Sequence, residues 1–166
     1  MNNGSIKARD ILTAQYELVK GSREVVFQFC EQFNPADYTK AVEGFGRGSI
    51  CTTQIHIANT YTFWAANSVM EKSLPYNKYE PNEIKTVRKM FETVNSFMEE
   101  FIREYADIVY QSRVINIPDS KNKIEVSFLQ VFTHVITHEF HHKGQVMSMG
   151  RLLGCTPPDA DVIRFS

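Results

Sequence analysis

The chain has 166 residues, 43% hydrophobic and 22% charged, which fits one compact domain (residues 1–166) able to bury a core without disulfide staples. A net charge of −1 argues against a dedicated nucleic-acid or anionic-membrane binder, since either would normally carry a basic face. No apolar run reaches the roughly 18 residues of a membrane span, and the polar opening Met1-Asn2-Asn3-Gly4 does not read as a signal peptide. Three scattered cysteines, Cys30, Cys51 and Cys155, suit a reducing compartment, so a cytoplasmic location is expected, with Cys51 and Cys155 structural.

Helical periodicity runs through four long stretches. In the first, residues 5–33, Ile11, Leu12, Tyr16, Val19, Val26, Phe29, Cys30 and Phe33 recur at three- and four-residue steps until Asn34-Pro35 ends the pattern. After Gly44, Gly46 and Gly48, Ser49 is a good N-cap for a second helix over 49–71. The loops 36–48 and 72–80 carry Tyr38, Phe45, Tyr76 and Tyr79, readable either as a lid or as packing. A third helix opens at Pro81 and carries Ile84, Val87, Phe91, Val94, Met98, Phe101 and Tyr105, close to an a/d seam. Val114, Ile115 and Ile117, then Pro118-Asp119-Ser120-Lys121-Asn122, then Ile124 and Val126 describe either a short β-hairpin or an extended crossover. The fourth helix spans 125–153 and stops at Gly154, with Pro157 and Pro158 beyond. The expected architecture is all-α: a four-helix bundle with a long crossover between its third and fourth helices, a fold that often builds metal sites from facing helices.

Four of the five histidines, His134, His138, His141 and His142, fall in the fourth helix, and His56 lies alone in the second. His138 and His142 are about 40° apart on a helix and roughly 6 Å apart along its axis. Two imidazoles at that spacing can bind one divalent ion, with Zn–N distances of about 2.0–2.1 Å. Both lie mid-stripe on an apolar face with Val131, Val135, Met149 and Leu153. A lone core histidine would more simply donate to a carbonyl and pack. Two together, with no obvious buried acceptor, are better satisfied by a metal. Gln145 shares their face, and His134 and His141 fall at its edge, where they are solvated or neighbour the ligands. His56 shares its own face with Thr53, Thr60, Phe63, Trp64 and Asn67, expected to line a small wet cavity with aromatic walls unless that face is simply exposed. Helices packed about 8–10 Å apart would let His56 meet the other pair. Three histidines and an open position make the layout of a catalytic metal site. The opposite side of the fourth helix, Phe132, Ile136, Phe140 and Met147, packs within the chain or forms a dimer interface.

His138-Glu139-Phe140-His141-His142 is also a literal HExxH, in which Glu139 would be the general base of a metallopeptidase. Against it, no histidine or glutamate follows His142, leaving only Asp159 and Asp161 as a third ligand, and no clear edge strand is present to align a peptide.

Several of these residues together resemble the DinB family, also called DinB/YfiT-like metal-binding bundles. The fourth helix is similar to the family pattern through His138, His142, Lys143, Gly144 and Gln145, with lysine where arginine is more usual. Arg151-Leu152-Leu153-Gly154 followed by Pro157-Pro158-Asp159-Ala160-Asp161 resembles the family ending. His56 and Trp64 match its second-helix histidine and tryptophan, while Asn59 stands where aspartate is common. The resemblance implies a divalent metal held by His56, His138 and His142, a homodimer, and metal-dependent transferase or isomerase chemistry on low-molecular-weight thiols such as bacillithiol. It gives Glu139 no part. Neutral imidazoles suit Zn²⁺ and Ni²⁺. Thr60, Asn67 and Gln145, with Asn59 and Trp64 nearby, are then expected to surround a small-molecule substrate, with transferase and hydrolase chemistry both open. The rival expectation is a non-catalytic metal-binding or dimer-forming bundle.

Overall fold

The computed structural model describes residues 7–80, 83–117 and 122–164. Its helices are α1 (Ala8–Cys30), α2 (Pro35–Thr39), α3 (Ile50–Tyr61), α4 (Ile84–Tyr105) and α5 (Phe128–Leu152). A hairpin of β1 (Ser112–Asn116) and β2 (Lys123–Ser127) joins α4 to α5. The four long helices form the bundle: α3 packs on α5 and α4, and α1 on α4 and α5. No described helix is long and apolar enough to cross a membrane.

The apolar repeats become the core. On α1, Leu12, Tyr16, Val19, Val26, Phe29 and Cys30 are buried, with Ser22 and Arg23 set among them. On α4, Val87, Phe91, Val94, Met98 and Phe101 form the inward stripe, joined by Phe97 and Ile102. On α5, Phe132 and Ile136 are buried and Phe140 and Met147 pack against the core, so the helix's second apolar side faces its own chain. The close approach of α5 to α1 depends on Gly150, where an added Cβ would come within 2.4 Å of the Phe29 ring.

Several boundaries differ from the periodicity. The first helix ends at Cys30, and its expected start at residue 5 lies outside the described residues, as does Pro81. Part of the loop 36–48 is helical: Asn34 caps α2 by accepting from the Asp37 N–H at 2.9 Å, and Pro35 starts it. Tyr38 is buried and Phe45 half-buried, so both are packing residues rather than a lid. The crossover resolves as a hairpin, in register from Ser112 opposite Ser127 to Asn116 opposite Lys123, and the expected turn residues 118–121 lie outside the described residues. The fourth helix begins at Phe128, because Ser127 accepts from the Gln130 N–H and Gln130 returns a bond to the Ser127 N–H. Gly154, at φ +90°, follows its end.

The second helix changes character after Tyr61. Residues Thr62–Val69 are π-helical, and the turn closes with the Met70 N–H donating to the Ala65 carbonyl at 3.0 Å. Helical geometry therefore does not reach residue 71. Glu71 (φ 56°) and Ser73 (φ 54°) take left-handed backbone that costs non-glycine residues of order 1–3 kcal/mol each. From there the loop 72–80 folds back along α3.

Candidate metal centre

Three histidines meet between α3 and α5. The ring centroids of His138 and His142 are 4.5 Å apart, those of His56 and His138 4.9 Å, and those of His56 and His142 4.8 Å. One nitrogen from each ring lies within 4.8 Å of the others. Zn–N distances of about 2.0–2.1 Å would bring the nitrogens to roughly 3.4 Å of one another, a closure within reach of side-chain rotation. The His138/His142 pair comes from one turn of α5, and the crossing of α3 supplies His56.

The donors are prepared as neutral ligands. Burial is the main cause that lowers the pKa of His56 to about 4 and of His138 to about 3, and it also lowers that of His142. Arg47 adds to the lowering at His56 and His142, while Gln145 works the other way at His142. The Gln145 amide oxygen accepts from His142 Nδ1 at 2.7 Å, so Nδ1 carries the proton and Nε2 keeps its lone pair. The Gln145 amide nitrogen donates to His141 Nε2 at 3.4 Å. His56 Nδ1 lies 3.3 Å from the Tyr79 hydroxyl. His138 Nδ1 is buried without a hydrogen-bond partner among the described residues. An orphaned buried nitrogen costs about 1–3 kcal/mol, and a cation held by these rings would turn an unsatisfied cluster into a ligand set. The residues present therefore fit a divalent ion.

Beside His56 opens a cavity of about 400 Å³ lined by Asn59, Thr60, Phe63, Tyr76 and Tyr79. Thr60 and Phe63 are thus where the face pattern puts them, although the Thr60 hydroxyl donates to the His56 carbonyl, and Asn59, singled out through the family resemblance, lines the cavity with them. The loop aromatics Tyr76 and Tyr79, readable from sequence as either lid or packing, form a wall. Thr53, Asn67 and Trp64 are not part of it. Thr53 is fully buried and donates to the Ser49 carbonyl at 2.7 Å. Asn67 pins the loop, donating to the Leu74 carbonyl at 2.9 Å and accepting from the Leu74 N–H at 2.7 Å. Trp64 stacks edge-on against exposed His134 at 5.1 Å and lines a separate groove with Ile124, Val126 and Val131. Its position, and that of Asn67, follow from the π-helical turn, which rotates residues away from their α-helical face.

Glu139 points away from the histidines into the core, where it is 5% exposed. Arg23 holds it with two parallel bonds of 2.7 and 2.8 Å, and the Tyr61 hydroxyl donates to it at 2.6 Å. Arg23 also donates to Asn95 at 2.6 Å, as does the Tyr16 hydroxyl at 2.9 Å. A carboxylate so engaged cannot serve as general base at the histidines, which removes the metallopeptidase alternative. Lys143 is structural too: it donates to the Ala160 carbonyl at 2.9 Å and to the Ser22 hydroxyl at 3.2 Å, tying the tail to α1. Cys51 is buried with Cys30, whose thiol burial pushes up to about 12.

A helical bundle whose facing helices gather three neutral imidazoles belongs with proteins that can hold a metal ion in this way. The chain belongs to the DinB family, whose model matches residues 7–166. No curated relative matches it.

Proposed function

We propose that the protein is a divalent-metal-dependent enzyme acting on a small molecule, of the low-molecular-weight thiol S-transferase or hydrolase type, with His56, His138 and His142 as the metal ligands. The observation that carries this is the set of three ring nitrogens, drawn from two helices and within 4.8 Å of one another. A bound Zn²⁺ or Ni²⁺ would supply Lewis acidity, making a thiol or a water nucleophilic at neutral pH.

The protein's own part is placement. Gln145 holds the tautomer and ring orientation of His142, and the Tyr79 hydroxyl braces His56. The Arg23–Glu139–Tyr61 network ties α5 to α1 and α3, so the rings of the two helices stay in register. Asn59, Thr60, Phe63, Tyr76 and Tyr79 shape the substrate cavity. The same proposal takes the protein to act in the cytoplasm as a homodimer.

Metal analysis of the purified protein tests it, with about one Zn²⁺ or Ni²⁺ per chain expected in the wild type and little in His138→Ala. A thiol-dependent conjugation lost with a chelator would select the transferase. Chelator-sensitive turnover without thiol would select the hydrolase. An unchanged metal content in His138→Ala would end the proposal.

A further inference from the structure

The cavity beside His56 is walled by aromatic rings that the chain holds in place and leaves uncovered. Phe63 comes from the π-helical turn and packs edge-on against Trp64, with ring centroids 4.8 Å apart. Tyr76 and Tyr79 come from the loop 72–80 and remain 52% and 50% exposed. Their backbone is nevertheless fastened. Asn67 exchanges two hydrogen bonds with the backbone of Leu74, Asn59 exchanges two with that of Asn77, and the Asn77 side chain donates a third to Asn59 at 3.1 Å. These pins fall on either side of Tyr76. The Tyr79 hydroxyl, 3.3 Å from His56 Nδ1, holds the far end of the loop. A wall ordered in advance spares a ligand the cost of ordering it, so fastened rings facing open space suit a partner that covers them.

The chemistry of the lining says what kind of partner. Besides His56, the described lining residues are neutral: Asn59, Thr60, Phe63, Tyr76 and Tyr79. Their polar atoms are largely taken. Asn59 is engaged by Asn77, the Thr60 hydroxyl donates to the His56 carbonyl at 2.9 Å, and the Tyr79 hydroxyl faces His56. An ionised group brought in here would leave water without gaining a counter-charge. Aromatic walls instead favour another ring, in offset or edge-to-face contacts with centroids about 4.5–7 Å apart that stabilise beyond the area they bury. A volume of about 400 Å³ lies within the range of small-molecule sites. His56 is common to the cavity and to the histidine group, so a ligand in the first abuts the second.

Resting on the metal-site function above, we propose that the substrate carries an uncharged aromatic ring, received by the cavity that Phe63, Tyr76 and Tyr79 wall, with its reacting group at His56, His138 and His142. Phe63 and Tyr76 are then specificity-determining residues.

The test uses full-length protein loaded with Zn²⁺, its metal content measured, and titrated calorimetrically with hydroxamates, which bind zinc directly: benzohydroxamate, its cyclohexane counterpart and its para-carboxylate. The wild type binds benzohydroxamate about tenfold more tightly than either of the others. Tyr76→Leu and Phe63→Leu keep apolar bulk but remove a ring, and at unchanged zinc content each cuts the preference over the cyclohexane probe several-fold. Should Phe63→Leu fail to fold, Tyr76→Leu, at an exposed position, decides. Equal wild-type affinities for the benzene and cyclohexane probes, equal affinity for the carboxylate, binding of no probe, or a preference undiminished in Tyr76→Leu overturns this proposal alone. Loss of zinc in Tyr76→Leu also overturns it, since that ring would then serve the metal or the fold. A wild type that takes up no zinc overturns the metal-site function and this proposal with it.

Discussion

Helix α5 carries two polar clusters on different sides, one residue apart in sequence, and they are finished in opposite ways. Glu139 is enclosed by Arg23 and Tyr61, with Asn95 and Tyr16 completing the set, and its hydrogen bonds close inside the chain. His138 and His142, with His56 across from them, present ring nitrogens to one another, and one buried nitrogen of His138 has no partner. Buried polar groups are normally satisfied within the fold. A cluster that closes on itself is holding structure, whereas three ring nitrogens facing one another form a group that could hold a metal ion. Sequence proximity therefore misleads in HExxH: the glutamate belongs to the first cluster and the histidines to the second.

The largest effect should come from breaking the closed cluster. Glu139→Ala leaves Arg23 buried and unpaired, and loss of one partner of such a pair costs about 3–5 kcal/mol. Its thermal midpoint should fall sharply, and the double variant Arg23→Met/Glu139→Leu should recover most of the loss. A small drop in Glu139→Ala would mean that water reaches the pair and the cluster is not closed.

His138→Ala should do the reverse. Metal affinity should fall beyond the roughly 10–100-fold expected of an outer-neighbour change, while the metal-free protein keeps its thermal midpoint within a few degrees. The pH dependence sharpens the contrast. An unfolded histidine titrates near 6.5, whereas His56 and His138 titrate near 4 and 3 in the folded, metal-free chain because burial disfavours their charge. Between those values the unfolded chain binds more protons. Stability is thus full above about pH 6.5 and falls as the pH drops toward 4 and then 3. Removing His138 should shallow that acid limb in a urea-denaturation series. An acid limb unchanged in His138→Ala would show that its burial is not what sets the pH response.

Gln145→Ala should be milder. The ring of His142 loses the acceptor that fixes its tautomer, and metal affinity should fall about 10–100-fold, with the fold intact by circular dichroism. Competition with a chromophoric chelator reads this directly, and an affinity equal to wild type would show that the 2.7 Å contact is not orienting the ligand.

How much of this was legible follows from local against distant causes. The His138/His142 pair and the Ser49 cap act within one helical turn, so residue spacing reveals them, and the apolar stripe of α4 repeats regularly. The cluster around Glu139 depends on Arg23, 116 positions away, and nothing in the spacing of either residue announces the partnership. Asn67 and Trp64 were placed by advancing about 100° per residue, which holds only while the helix stays α. The signal that could have warned of the π-helical turn is faint, since Thr62–Val69 is an ordinary apolar stretch in sequence.

The smallest expected effect concerns the loop that walls the cavity. Asn59 donates to the Asn77 carbonyl at 2.8 Å and accepts from the Asn77 N–H at 2.8 Å, while Asn67 does the same for Leu74. These pins hold Tyr76 and Tyr79 beside His56, after a segment that begins with two left-handed residues. Asn59→Asp keeps the acceptor but loses the donor, and sets a carboxylate oxygen against the Asn77 carbonyl. A net hydrogen bond is worth about 0.5–1.5 kcal/mol, so the loss should be of that order and local to the loop. Hydrogen exchange across residues 72–80 should quicken while the core of α4 and α5 is unaffected, and the affinity of a cavity ligand should weaken several-fold with metal content unchanged. If exchange in the loop stays at the wild-type rate, the donor is dispensable, and the cavity wall is held instead by the Tyr79 contact to His56.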